Sequence, residues 1–283
     1  MNTNSKTGRA LNLGCGVSFL RSQNWINVDW QSNSKSVKRH NLLTKLPWTK
    51  SEFELVYSSH LIEHLTTEDA RELLRECFRI LTPGGTLRLS LPDFEEMARA
   101  YVNLKDQGEY LKSQFVLTEI LDQCVRMNPS GTFPKWYQLA STDVDLEQFV
   151  MIRTGINMRN RGESNSTNSA SEEISIMEKV IVNARKARSF IERKYISLIV
   201  KLLPKWFRSY HVSRATPGER HMWLYDFASL SNLLSDIGFV EIDKVEERIT
   251  RTPVRDVLLL DFNESGRPIK GISTMFVEAT KPR

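Results

Sequence analysis

Short apolar runs separated by polar punctuation open the chain. Ala10-Leu11-Asn12-Leu13 predicts a strand that ends at Gly14-Cys15-Gly16. Trp25-Ile26-Asn27-Val28-Asp29 predicts a second strand ending on an acid, residues 36–43 a third, and Phe53 to Ser59 a fourth. After Thr67 the period changes. Ala70, Leu73, Leu74, Cys77, Phe78 and Leu81 recur at helical spacing, and Pro83-Gly84-Gly85 is expected to stop that helix. Thr86 to Leu91 predicts a fifth strand. Late in the chain, residues 226–238 predict a helix closed by Gly238, followed by strands at 240–245 and 275–279. Strands alternating with helical segments imply parallel pairing and an α/β sheet.

The middle of the chain follows another pattern. It is mostly helical by period, and residues 160–173 hold nine Ser, Thr, Asn or Gly residues, which predicts a flexible loop. From Met177 an apolar stripe runs through Val180, Ala184, Ala187, Ile191, Leu198 and Leu202, predicting a long amphipathic helix that stops near Pro204. The simplest organisation is one α/β domain, built from residues 1–94 and 221–283, interrupted by a mainly helical insertion at 95–220.

Charge sharpens that division. The net charge is +5, but the segment from Lys179 to Arg214 alone carries +9, so the remainder is acidic by −4. A hydrophobic fraction of 40% over 283 residues supports a sizeable core and excludes a disordered or fibrous chain. Cys15, Cys77 and Cys124 form no CxxC pair, which argues against a disulfide framework and fits a reducing compartment. No apolar run follows Met1 and none approaches the roughly 20 residues a spanning helix needs, so a cytoplasmic protein is expected.

The chemistry starts at Gly14-Cys15-Gly16. Two glycines after a strand permit a sharp turn and a close approach of backbone to ligand. Phe19 stands where a dinucleotide fingerprint would need its third glycine, and no GK[ST] follows. Asp29 ends the next strand, where an acid can accept hydrogen bonds from both hydroxyls of a ribose. Either feature alone is an ordinary turn or surface acid. Together, in strand context, they point to a nucleoside cofactor without a pyrophosphate.

Four segments then carry a family resemblance: residues 11–16, the acid Asp29, the run Phe53-Glu54-Leu55-Val56-Tyr57-Ser58-Ser59-His60-Leu61-Ile62-Glu63-His64-Leu65, and Leu81-Thr82-Pro83-Gly84-Gly85-Thr86-Leu87. In that order they resemble class I S-adenosylmethionine-dependent methyltransferases, most closely the bacterial methyltransferase type 11 group. The resemblance covers residues 10–93 and, more weakly, 221–283. It implies a Rossmann-like seven-stranded sheet with the last strand antiparallel. It also implies S-adenosylmethionine contacts from Leu13, Gly14, Cys15, Gly16, Asp29, Trp30, Asn41, Leu42, Ser58 and Ser59. Asn41 stands where the family often has an acid, and the short gap between Gly16 and Asp29 requires an abbreviated first helix.

The acceptor is expected outside the carboxyl ends of the strands. His60 at the tip of strand four, Asp93 after strand five and His221 at the return from the insertion are the candidate catalytic residues. For His60 the competing reading is a cap on the chain turn, and for Asp93 a helix cap. Trp223, Tyr225 and Asp226 beside His221, and Lys135, Trp136 and Tyr137 in the insertion, are candidate acceptor-pocket residues. His60, Glu63 and His64 also show the H-x-x-E-H spacing of one class of zinc peptidases. The methyltransferase pattern already accounts for that segment, and no metal is expected. The resemblance implies a methyltransferase acting on a small molecule or glycan. RNA methylation through the basic insertion and a non-catalytic cofactor binder are the alternatives. The basic helix at 177–214 reads as a lid, as an anchor to an anionic inner-membrane surface, or, ranked last, as a nucleic-acid contact.

Overall fold

The computed structural model describes residues 8–32, 34–156, 190–191, 194–215, 218–246, 248–263 and 266–283. Seven strands form one sheet: β1 (Ala10–Leu13), β2 (Trp25–Asp29), β3 (Val37–Arg39), β4 (Phe53–Ser59), β5 (Leu81–Pro92), β6 (Val240–Val245) and β7 (Thr274–Thr280). Their order is β3-β2-β1-β4-β5-β7-β6. Strands β1 to β5 pair in parallel, while β7 runs antiparallel to both neighbours. This is the Rossmann-like seven-stranded sheet that the resemblance implies, with its last strand antiparallel.

The central strands are buried on both faces, so they read as continuous apolar runs. Ala10, Leu11 and Leu13 of β1 and Leu55 and Val56 of β4 are fully enclosed. Helix α1 (Thr67–Ile80) packs Ala70, Leu73, Leu74, Cys77 and Ile80 against one face. Its first turn is capped by Thr66, whose hydroxyl accepts from the Asp69 amide at 3.1 Å. The later helix Phe227–Ile237 lies beside α1, with a capping box at Asp226 and Ser229 and a left-handed Gly238 at its end.

Two boundaries differ from the sequence reading. Helix α1 ends at Ile80, and Leu81 already pairs with Phe53, so Pro83-Gly84-Gly85 is no helix stop. It is a bulge inside β5: the register passes from Phe53–Leu81 to Leu55–Thr86, and Gly84 takes a φ of 78°. The third strand is only Val37–Arg39, because Asn41 to Thr44 turn back on themselves, with the Thr44 amide donating to the Asn41 carbonyl at 3.1 Å.

Between β5 and β6 the chain forms α2 (Phe94–Asp106), α3 (Tyr110–Val125), α4 (Phe133–Ala140) and α5 (Val144–Thr154). These helices close on a core of their own, with Phe115 packed edge-on against Phe133, Trp136 and Phe149. The end of α5 is pressed against the loop before β7. A Cβ on Gly155 would lie 2.3 Å from the Ile269 carbonyl oxygen, and one on Gly271 would lie 1.8 Å from that of Arg153. Only glycine fits either position. The expected loop at 160–173 lies outside the described residues, as do residues 177–189 and 192–193 of the expected basic helix. Residues 194–202 are helical, followed by a short helix, Lys205–His211. Among the described residues no helix is long and apolar enough to cross a membrane.

Candidate active site

The carboxyl ends of β1, β2 and β4 converge on the glycine turn. Gly14 and Gly16 adopt φ of 65° and 53°, the left-handed region that glycine enters without a Cβ penalty. Gly14 is needed for packing as well, since a Cβ there would touch Leu61 at 3.0 Å. At Gly16 the Cβ direction is open space. Asp29 closes the turn: its Oδ2 accepts from the Gly16 amide at 2.9 Å and its Oδ1 from the Gln31 amide at 2.8 Å. Each carboxylate oxygen keeps acceptor capacity after one such bond.

Two asparagines hold the helix-free loop that follows. Asn12 donates to the Ser18 carbonyl at 3.1 Å, and Asn27 to the Leu20 carbonyl at 2.9 Å. Their signal in the sequence is a polar amide at the centre of each of two apolar strands, which the strand reading passed over.

At the end of β4, Ser58 is buried and donates to the Leu13 carbonyl at 3.2 Å, joining β1 to β4. The next residues turn sharply. His60 has a φ of 48°, uncommon for a residue with a side chain, and its amide donates to the Ser90 carbonyl at 2.8 Å. A turn of 3-10 helix over Ile62–His64 then carries Glu63 inward. The return segment from the insertion is clasped to this turn: the amides of Met222 and Trp223 donate to the Glu63 carbonyl, and His64 Nδ1 to the Arg220 carbonyl at 2.8 Å. That clasp sets the His221 ring 4.8 Å from the His64 ring, centroid to centroid.

Glu63 is fully enclosed, and neither carboxylate oxygen has a hydrogen bond. His60 Nδ1 lies 3.1 Å from Oε1, within ion-pair range but off the hydrogen-bond line. Burial works against the Glu63 charge. The His60 ring N–H beside it, with smaller contributions from His64 and His221, outweighs burial and holds the carboxyl below its usual range. Burial drives His221 the other way, down to about 4, so its ring is a neutral imidazole at physiological pH.

These groups face a cavity of about 640 Å³ between the strand ends and the helical segment. From the sheet side it is lined by Gly14, Cys15, Gly16, Ser59, His60, His64 and His221. From the helical side come Glu119, Gln123 and Arg126 of α3, Tyr137 of α4 and Arg153 of α5. Arg153 is paired with Glu119 and, at 3.1 Å, with Glu96. Burial pushes the Glu119 carboxyl up to about 7, only partly offset by Arg153. The sequence reading missed Glu119, Arg126 and Arg153 because the insertion lies outside the family pattern. Their signal is a charge on the apolar face of a helix: Glu119 falls one turn after Phe115.

The other expected site residues are distributed unevenly. Cys15 lines the cavity as a neutral thiol, pushed up to about 12 by burial and the nearby Asp29 charge. Leu13 and Leu42 are core residues rather than lining. Trp30 is 54% exposed beyond the end of β2, and the Asn41 side chain accepts from the Leu43 amide at 3.1 Å. Asp93 corrects the expectation of a catalytic role: it is a buried helix cap, accepting from the Glu95 and Glu96 amides and paired with Lys244. Trp136 serves the insertion core, donating to Thr118 at 2.9 Å.

Residues 11–89 match the model of a methyltransferase-domain family. That segment thus carries the sequence pattern of a methyltransferase domain. A probable S-adenosylmethionine-dependent methyltransferase of Mycolicibacterium smegmatis is 38% identical over 55 residues, 19% of this chain and 21% of that protein. The chain thus spans about a fifth of the length of that curated relative. A methyltransferase structure from Archaeoglobus fulgidus aligns over 96% of this chain and 86% of its own, at 13% identity and a TM-score of 0.37. One from Mesorhizobium loti aligns over 97% and 91%, at 14% identity and a TM-score of 0.35. The fold assignment rests on strand order rather than on those alignments.

The residues within 11–89 fit S-adenosylmethionine. The left-handed Gly16 leaves room where any other side chain would project, and Asp29 retains acceptor capacity at the tip of β2. Ser59 and the turn backbone complete the near wall of the cavity.

Proposed function

We propose that the chain transfers a methyl group from S-adenosylmethionine to a polar acceptor, a small molecule or a glycan, held in this cavity. The observation that supports it best is the continuity of one space. The glycine turn with Asp29 behind it, His60 with Glu63 behind it and the charged residues of the helical segment all border the same cavity. When bound, S-adenosylmethionine supplies an electrophilic methyl carbon on a sulfonium centre. Gly14, Gly16 and Asp29 position that group. Arg126, Arg153, Gln123 and Lys270 offer an acceptor charged and hydrogen-bonding partners, and a volume of this size lies within the range of ligand pockets, roughly 300–1,000 Å³.

His60 is placed to take the proton of an acceptor hydroxyl. Its Nδ1 faces Glu63 and its Nε2 lies 3.3 Å from the Thr274 hydroxyl, so the carboxylate and the hydroxyl together set the ring orientation. Labelled methyl transfer to a panel of polyols, glycans and RNA tests the reading. His60→Ala is expected to lower turnover by roughly 10²–10⁴ while cofactor affinity stays near wild type. Transfer to RNA alone, with a steep salt dependence, would replace the acceptor class.

A segment late in the insertion suggests a location. Tyr195, Leu198, Leu202 and Trp206 are exposed beside Lys194, Lys201, Lys205 and Arg208. An anionic membrane surface matches both chemistries, apolar side chains for the interface and cations for the headgroups. Vesicle co-sedimentation that requires acidic lipid supports this location, and equal binding to neutral vesicles argues against it.

A further inference from the structure

Three of the five histidines in the chain gather around one enclosed carboxylate. One donor atom from each of Glu63, His64 and His221 lies within 4.8 Å of the others. Such a cluster usually carries its own hydrogen bonds. Here both Glu63 oxygens and His221 Nδ1 are buried without any, and so is the nearby Tyr225 hydroxyl. A fully buried carboxylate is costly unless donors or opposite charge sit against it, and here His60 alone closes on one oxygen while Oε2 has nothing.

The second feature is orientation. His64 Nδ1 is bound to the Arg220 carbonyl, which places the ring proton on that nitrogen and leaves the Nε2 lone pair free. Metal-ligating histidines are commonly fixed in this way by a backbone carbonyl. His60 stands in the corresponding place behind Glu63, with Nδ1 3.1 Å from Oε1, which leaves Oε2 for a ligand. His221 comes from a distant part of the chain and is held there by its amide bond to the Gln123 carbonyl at 3.0 Å.

We propose that Glu63, His64 and His221 bind one divalent transition-metal ion of the zinc class in the wall of the cavity. Two imidazoles and one carboxylate suit zinc and its neighbours better than calcium or magnesium, which prefer oxygen ligands throughout. Bonds of about 2.0–2.2 Å place ligand atoms roughly 3.3 Å apart in a tetrahedral site, so atoms that now lie within 4.8 Å of one another close by up to about 1.5 Å on binding. Three protein ligands leave a position open, and His64 and His221 both face the cavity. A water or an acceptor oxygen is the chemical class that position takes. The use of the ion on an acceptor rests on the methyl-transfer reading, whereas its binding does not. The expectation of no metal, drawn from the sequence, is revised by His221, which the H-x-x-E-H spacing does not include.

The test is cobalt titration of the tag-free, chelator-treated full chain, followed by absorbance. One equivalent is expected to bind and give the visible bands of a nitrogen–oxygen site of low coordination number, displaced by zinc. Glu63→Gln and His221→Asn are each expected to weaken binding at least about tenfold. X-ray absorption at the zinc edge of the loaded wild-type protein is expected to show two imidazoles and a carboxylate, and it needs no variant to fold. No saturable uptake, uptake unchanged in both variants, or a thiolate–cobalt band from Cys15, Cys77 or Cys124 would overturn the site. Calorimetry of S-adenosylmethionine on the metal-free protein reports separately on the cofactor reading.

Discussion

Among the described residues, two of the clusters of buried charge are built differently. Under β5 and β7, Arg88 is fully enclosed between Asp261 and Glu278. All four carboxylate oxygens there accept hydrogen bonds: Asp261 from the Tyr57 hydroxyl at 2.8 Å and Arg88 Nε at 2.9 Å, Glu278 from Arg88 Nη1, the Thr250 hydroxyl and the Arg251 amide. Around Glu63 the carboxylate oxygens have none. The first cluster ties residues 250–261 to the sheet, and every carboxylate oxygen in it is satisfied; Arg88 Nη2 makes an ion pair with Asp261 at 2.8 Å but no hydrogen bond. The second borders the cavity and is incomplete. Buried polar groups that satisfy one another hold a fold together, and those left unsatisfied at a cavity wall mark where a ligand belongs.

The largest expected effect breaks the first cluster. Arg88→Met leaves two enclosed carboxylates without their cation and is expected to cost about 3–5 kcal/mol in urea denaturation. A loss below about 1 kcal/mol would show that this network is not what secures the 250–261 segment.

Glu119 falls between the two cases, buried with Arg153 as its one strong partner. Its carboxyl, raised to about 7 when folded, binds more protons in the native than in the unfolded state between its ordinary value of 4.5 and 7. Stability is therefore expected to fall as pH rises through that window, by an amount on the order of 1–3 kcal/mol. Urea midpoints between pH 4.5 and 8 check this, and Glu119→Gln is expected to flatten the slope. An equal slope in the variant would assign the pH dependence to other groups.

The smallest expected effect sharpens the contrast. Glu63→Gln keeps the shape of the side chain and gives up only its contact with His60 at 3.1 Å, so the metal-free protein is expected to change by less than about 1 kcal/mol. Thermal melting with and without zinc reads both parts: wild type is expected to gain stability on zinc addition, and the variant to gain little. A costly Glu63→Gln without metal would place Glu63 among the structural acids, like Asp261.

Much of this architecture is legible along the chain. The limits of β1, β2 and β4 follow from apolar runs ending on Gly14, Asp29 and Ser59, and those of α1 and the Phe227–Ile237 helix from period and caps. The bulge at Pro83–Gly85 was not legible, because proline and glycine mark helix stops and strand bulges alike. At the site, Gly14, Gly16 and Asp29 stand out by spacing, since the turn is local. His221 and Arg153 meet the turn only through long-range packing, across α3 and the loop before β7, and no local pattern records that meeting. Asp93 shows the reverse case: an acid at a strand tip reads as chemistry until its two cap hydrogen bonds and Lys244 are seen.

The central claim is that the glycine turn and Asp29 hold S-adenosylmethionine. Calorimetry of S-adenosylmethionine on the full chain and on Asp29→Ala tests it most directly. One-to-one binding in the micromolar range is expected for the wild type. The variant is expected to bind at least about tenfold more weakly, since it loses both the ribose acceptor and the bond that fixes the Gly16 amide. Equal affinity in the two proteins, or no binding by either, would contradict the account.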